Sequence, residues 1–509
     1  MKTTKKIIYR ALSGLIALSF SACSDFLDIN HDPNATTDAP VDLILPAATL
    51  STASVVGGQY AVLGAMWSQH WTQSNSANQY KNIDGFNLAS SDLNFQFSEL
   101  YMGALNDFEY IRNQSKAQKN WSLYLIATVQ QAYTWQVLAD LYDELPFREA
   151  LQGDANRAPH YDPGSLVYDS LVNRIDYALT RDFNEVEAGA RTSKNPGGSD
   201  YIFGDALDAG EDLDELIDTN IENWIRFANT LKLKLFLRQI KARPTEADAG
   251  LQAMYDAGAE FLQTDADIVQ FEDETNKSNP LYEVEQRNLG GINLKASRTL
   301  LSYLQSIGDT RIPRLFVAGS GGQKGLDQGN FEVPTTIVPA ASLSKPAISA
   351  TDPVYLISKA ESYFLQAEAA LRGYGTGNPE ALFDLGVSAS FQQLGLVPKN
   401  YDLPGTSFEA DLEQIIVQKW IALAGTHENL EAFFEMNRTN YPVKSVVYSG
   451  LDNGNQNPAY VPGQIVYPKE GVTAGLFAKR LLFPDTERRR NANTPDQVPI
   501  TEEVWWDVD

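Results

Sequence analysis

Cys23 is the only cysteine in this 509-residue chain, so no internal disulfide can staple the fold. Histidine is nearly as scarce: His31, His70, His160 and His427 stand far apart along the sequence. Cationic residues are few, 40 Lys and Arg against 65 Asp and Glu for a formal net charge of -25. A surface of that sign repels phosphate backbones and anionic lipid, which excludes DNA and RNA as partners. Long apolar runs are missing as well. The one apolar stretch, Ala11 to Ala22, is roughly 12 residues long where a spanning helix needs about 20. No Gly-x-Ser-x-Gly elbow, His-Glu-x-x-His or P-loop occurs, which lowers the odds of hydrolase or nucleotide chemistry.

What is there begins with a compartment signal. Lys2, Lys5, Lys6 and Arg10 precede the short apolar run, the pattern of a cleaved secretory signal over residues 1–22. Cys23 follows Phe20, Ser21 and Ala22, so it reads as a lipobox cysteine whose acyl chains hold the protein to a bilayer, each buried methylene contributing ~0.8 kcal/mol. Losing the signal cations takes the net charge to about -29 and leaves about 487 mature residues, long enough for more than one lobe. No linker composition separates the halves, so residues 23–509 are expected to form one body with closely packed lobes.

The dominant pattern is helical and comes in neighbouring pairs. Apolar residues recur at spacings of three and four in 121–142 (Leu125, Val129, Ala132, Trp135, Leu138), 221–241 (Trp224, Ala228, Leu231, Leu235), 357–371 (Ile357, Ala360, Phe364, Ala367, Leu371) and 412–423 (Leu412, Ile416, Trp420, Leu423). Gly373 reads as the C-cap of the third. Partner helices are expected over 92–114, 166–179, 379–391 and 428–438, with Ala367, Ala369 and Ala370 small enough for close approach. The fold class is therefore mainly α, with long Gly-, Pro- and Asp-rich insertions at 184–220 and 313–352 and few short strands, 331–338 being the best strand candidate. Pro146 ends the first helix and has a structural role.

The best binding candidate is 67–86, where Trp67, His70, Trp71, Tyr80 and Phe86 alternate with Gln69, Gln73, Asn75, Asn78 and Gln79. Aromatic faces stack on sugar rings or peptide side chains, and amides supply paired donors and acceptors. Trp67 and Trp71, four apart after an Ala-rich helix, fit a core pair better than a ligand surface. Asn75, Asn78 and Tyr80 lie in the polar stretch beyond and are expected at the surface. The acidic loop Asp205, Asp208, Glu211, Asp212, Asp214, Glu215 and Asp218 has the hard oxygens calcium takes but not the EF-hand pattern. A solvated charged loop is the preferred reading, so no cofactor is expected.

Several motifs in one order carry a resemblance. Cys23-Ser-Asp-Phe-Leu-Asp28, Leu138-Ala-Asp-Leu-Tyr-Asp-Glu-Leu-Pro-Phe147, Trp224 to Leu235, Tyr355 to Gly373, Gln418 to Leu423, Glu431 to Phe434, Asn437 to Pro442, Leu481 to Pro484 and Val504 to Asp507 together resemble the SusD/RagB family of outer-membrane nutrient-binding lipoproteins. Asp143 stands where the family motif carries glycine. The resemblance implies tetratricopeptide-like helix pairs, lipid anchoring of Cys23 in the outer membrane facing the cell exterior, and a SusC-like TonB-dependent barrel as partner. It also implies ligand contacts in the N-terminal and middle insertions, which adds Asp273, Asn276, Tyr282 and Arg287 of the polar stretch 271–293 to the candidates, against the plain reading of a solvated loop. The expected role is capture of an oligomeric nutrient, glycan in preference to oligopeptide, with a protein-interaction scaffold as the rival class and no catalysis.

Overall fold

The computed structural model describes residues 40–183, 197–204, 213–446 and 459–508. Cys23, the signal segment, His31, Asp205, Asp208, Glu211 and Asp212 lie outside them, as do the side chains of Asp214 and Glu215. The chain divides into two units, Met1–Ile44 and Leu45–Asp509. Of the first, only 40–44 are described.

Within the second unit the predicted helices form and pack in consecutive pairs: Asn106–Ala117 with Trp121–Tyr142, Gly164–Leu179 with Leu213–Arg238, Lys359–Leu371 with Pro379–Gln393, and Phe408–Gly425 with Asn429–Thr439. The Trp121–Tyr142 helix is buried along its length and is capped by Asn120, whose side chain accepts from the Leu123 amide at 3.2 Å. Ser358 caps Lys359–Leu371 by accepting from Glu361 N at 3.2 Å, and Gly373, at φ +92, ends it. Small residues set how close a pair can come. A Cβ on Gly386 would stand 2.9 Å from the Phe364 ring, and Ala360, Ala367 and Ala389 line the same seam with Phe383 and Phe391. Each large apolar side chain so buried contributes about 1.5–3 kcal/mol.

The helix pairs are also locked by charge. Arg238, fully buried, donates to Glu435 and Glu431, both at 2.6 Å. Lys234 lies 2.9 Å from Glu361, and Lys419 lies 3.3 Å from Glu435. Arg438 grips Glu368 at 2.8 and 2.6 Å and Glu435 at 2.9 and 2.6 Å. Burial alone would raise the Glu435 carboxyl, but the charges of Arg438, Lys419 and Arg238 pull it well below the usual carboxylate range. These ions come from four different helices, so sliding any helix along its neighbour would strand a buried charge.

Strands are short and paired antiparallel: Trp71–Gln73 with Leu294–Ala296, Glu144–Pro146 with Tyr161–Pro163, Ala266–Ile268 with Val354–Ile357, and Phe316–Val317 with Lys345–Pro346. Three expectations are corrected. Ile357 belongs to a strand rather than to the helix that follows. Residues 331–338 form turns, because Pro334 has no amide to give a ladder and its carbonyl takes the amides of Ile337 and Val338 at 2.9 and 3.0 Å. The first long insertion is also shorter than expected, since the helix already runs from Leu213.

The turn after Tyr142 explains the unusual Asp143. The residue sits at φ +67, a region that favours glycine, and its carboxylate accepts from Trp505 N at 2.7 Å and Arg480 at 3.3 Å. Those two bonds tie the C-terminal Trp505 and Arg480 to the end of the long helix. Glu144 to Pro146 then enter a strand, which gives the motif the structural role expected for it.

Candidate functional site

The 67–86 segment folds inward. The Tyr60–Trp67 helix is buried on every side, and Trp67 is 2% exposed, with its indole N–H donating to Ile83 O at 3.0 Å and its ring edge-on to Phe86 and Phe433. Trp71 is also 2% exposed and packs edge-on against His427 at 5.4 Å. Neither ring has a face to offer a ligand, so the core alternative holds for both. The amides between them are consumed internally. Gln69 accepts from Thr299 Oγ1 at 2.8 Å and from Val466 N at 3.1 Å. Gln73 accepts from Tyr80 N at 2.7 Å, and His70 Nδ1 pairs with Asn429 Oδ1 at 2.7 Å. Asp84 gathers Thr72 Oγ1 at 2.7 Å, Gln73 N at 2.9 Å and Gln328 Nε2 at 2.5 Å. Burial pushes its carboxyl up to about 6 despite those donors.

Tyr80 corrects the expectation of a surface aromatic. Its ring is 1% exposed and its phenol donates to Glu285 Oε2 at 3.3 Å. Burial first, and the Glu285 charge second, raise the phenol's pKa and keep it neutral. Glu285 is the residue that the sequence did not reveal. It also accepts from Asn293 N at 3.0 Å, so it fastens the first candidate segment to the second. Ser74 N donates to Asn293 O at 2.7 Å, and strand Trp71–Gln73 pairs with Leu294–Ala296. The two polar segments, about 200 residues apart in the chain, therefore share one edge.

What reaches the surface at that edge is a shelf. Asn78 and Gln79 are exposed, and Asn75, half-buried, donates to Val333 O at 3.0 Å and Val338 O at 2.8 Å, which holds the 331–338 turns beside them. Lys81 continues the tie with an ion pair to Glu332 at 2.6 Å. On the other side the short helix Pro280–Tyr282, capped by Asn279, passes into a π-turn over Glu283–Asn288. The extra residue of that turn lets Glu285 point inward while Tyr282, Val284, Arg287 and Asn288 keep exposed surface. Of the candidate aromatics only Tyr282 is half-exposed, with the Arg287 guanidinium 5.3 Å from its ring centre. Arg287 is neutralised by Asp273 at 2.5 Å and Glu283 at 3.3 Å. Asn276, exposed at φ +64, turns the loop beside Asp273. The exposed apolar side chains Val284, Ile292 and Ile337 complete a polar surface with apolar spots and no free charge at Arg287.

Among the described residues no cluster of three or more His, Cys, Asp or Glu is placed to hold a metal, and no helix is long and apolar enough to cross a membrane. A family described as starch-binding and associating with the outer membrane matches residues 33–468. The chain belongs to the SusD/RagB family. Its SusD-type fold is shared with a SusD homolog from Bacteroides uniformis, 22% identical, TM-score 0.70, with 92% of this chain and 99% of that one covered. A chitin-binding SusD homolog from Flavobacterium johnsoniae is 19% identical, TM-score 0.69, with 91% and 99% covered. A SusD-like protein from Bacteroides thetaiotaomicron is 21% identical, TM-score 0.68, with 92% and 99% covered. No curated protein matches the chain. The helix pairs expected from the sequence are thus the helical scaffold of SusD-type proteins, and the shelf is built from insertions between them.

Proposed function

We propose that this SusD/RagB-family protein is a cell-surface lipoprotein, anchored through Cys23, that captures an oligosaccharide on the shelf and passes it to a SusC-like TonB-dependent barrel. The observation that carries the reading is the family match over 33–468, with its starch-binding, outer-membrane description. The Flavobacterium johnsoniae relative, whose name is chitin-binding, points to the same ligand class. The shelf supports an uncharged ligand for its own reason. Arg287 is the cation that would meet a peptide carboxylate, and Asp273 and Glu283 already occupy it. Asn78 and Gln79 offer amides, and Tyr282 a half-exposed ring, which suit hydroxyls and the apolar side of a sugar.

Turnover has no part in this reading. The carboxyls with raised pKa in this region, Asp84 and Glu285, are enclosed and spend their oxygens on internal donors. His70 is buried against Asn429. The experiment is calorimetry of the purified protein against oligosaccharide and oligopeptide panels, with product analysis of the same mixtures. Saccharide binding without product supports the reading; binding of peptides alone, or product at catalytic ratios, overturns it. For the anchor, Cys23→Ala should leave affinity unchanged and move the protein out of membrane fractions in cells lacking the barrel.

A further inference from the structure

A second cleft, lined by residues other than those of the shelf, opens where four chain segments converge: the helix end at Arg314 and Leu315, the segment 347–355 running into strand Val354–Ile357, the C-terminus of Pro379–Gln393, and the turn between Phe408–Gly425 and Asn429–Thr439. Its volume is about 310 Å³, at the small end of the roughly 300–1,000 Å³ typical of ligand sites. Its walls are fixed by bonds between segments. Ala347 N donates to Leu315 O at 3.0 Å, and Asn279 Nδ2 donates to Asp352 O at 2.9 Å. His427 stands in the left-handed region at φ +59, and its ring packs edge-on against Trp71 at 5.4 Å. Backbone held that way persists where the surroundings impose it.

The lining pairs one donor of positive charge with one acceptor of negative charge over an apolar floor. Arg314 is exposed and has no ion-pair partner among the described residues. Asp352 takes the Ser349 amide on Oδ2 at 2.7 Å and has further acceptor capacity. Tyr355 is half-buried and Leu315 is 6% exposed. A ligand of either net charge would meet the like-charged member of the Arg314 and Asp352 pair. A neutral ring with vicinal hydroxyls satisfies both, accepting from the guanidinium, donating to the carboxylate and laying its apolar face on Tyr355.

We infer that this cleft is a second saccharide site, sized for a single neutral pyranose unit and separate from the shelf. It rests on the glycan reading of the protein only for its ligand class, because its lining residues Arg314, Asp352, Tyr355 and His427 are not shelf residues, although Asn279, which caps the shelf helix, also fastens Asp352. The test is a titration of 15N-histidine-labelled protein with D-glucose, D-galactose, D-mannose and N-acetylglucosamine, and with glucuronate and glucosamine as charged counterparts. The His427 resonance is identified by its loss in His427→Asn, a substitution that tolerates the left-handed backbone.

At least one neutral sugar should shift His427 saturably. Arg314→Ala and Asp352→Asn should each weaken that response at least about tenfold, while Asn78→Ala and Tyr282→Ala leave it unchanged. The inference is overturned if no neutral sugar moves His427, if only the charged sugars do, or if Arg314→Ala leaves the midpoint where it was. A His427 response in a protein that shows no oligosaccharide heat would remove the shelf reading and keep the cleft. Oligosaccharide heat that Tyr282→Ala abolishes, with His427 silent, would do the reverse.

Discussion

Replacing Glu428 by glutamine should make the protein progressively more stable than the wild type as pH rises. Glu428 sits in the turn between Phe408–Gly425 and Asn429–Thr439, is buried, and accepts from Ser358 N at 2.9 Å and Thr426 Oγ1 at 2.6 Å. Burial, reinforced by the Glu361 charge, raises its carboxyl from 4.5 to about 8. The folded protein therefore keeps this proton at pH values where the unfolded chain has released it. The stability that Glu428 contributes is fully present below pH 4.5 and is lost as pH rises through about 8. Across that window each pH unit removes about 1.4 kcal/mol.

The Glu428→Gln variant would keep an acceptor for Ser358 N and carries no proton to lose, so its stability advantage over wild type should grow by about 3 kcal/mol over two pH units. Urea unfolding followed by circular dichroism at several pH values between about 5 and about 7.5 measures that difference. Asp84 and Asp140, both raised to about 6 by burial, add a similar slope at lower pH to both proteins and cancel. Parallel pH profiles for the two proteins would refute the claim that Glu428 is held neutral.

Arg438→Met should destabilise the protein in urea by less than the ~3–5 kcal/mol of a fully unpaired buried charge, because Glu368 keeps Arg372 and Glu435 keeps Arg238 and Lys419. Adding Glu435→Gln should recover part of that loss. Gly64→Ala should lower stability by at least the ~1–3 kcal/mol of ordinary overpacking, since its Cβ would fall 2.2 Å from the Leu430 amide nitrogen. Gly198→Ala, with nothing within 4 Å, should stay within about 0.5 kcal/mol of wild type by thermal unfolding.

The scaffold was legible because its helices repeat apolar residues at spacings of three and four, even where, as in Trp121–Tyr142, the helix is buried on every face. Gly373 marks a helix end in the sequence and sits just past it in the structure, while the caps Asn120 and Ser358 are seen only in the structure. The buried ions were not legible in the same way. Lys234 and Arg238, four apart among the leucines of their helix, carry no sign in the sequence of the acidic neighbours that they face on three other helices.

The 67–86 segment misled for a related reason. Its aromatic and amide mixture describes a ligand pocket equally well as a turn that bonds to itself, and only the tertiary partners Thr299, Gln328, Asn429 and Val466 decide between them. That the two polar candidates would meet could not be read locally, because Glu285 and Asn293 join them across the fold. The cleft at Arg314 was invisible for the same reason, being assembled from four segments of ordinary composition.

The most direct test of glycan capture on the shelf is calorimetry of the purified protein with neutral oligosaccharides and oligopeptides, repeated with Asn78→Ala and Tyr282→Ala. Saccharide heat should appear and its affinity should fall at least about tenfold in both variants, with Trp71→Phe, a core change, leaving it intact. Peptide heat alone, or saccharide heat indifferent to both shelf variants, would contradict that reading.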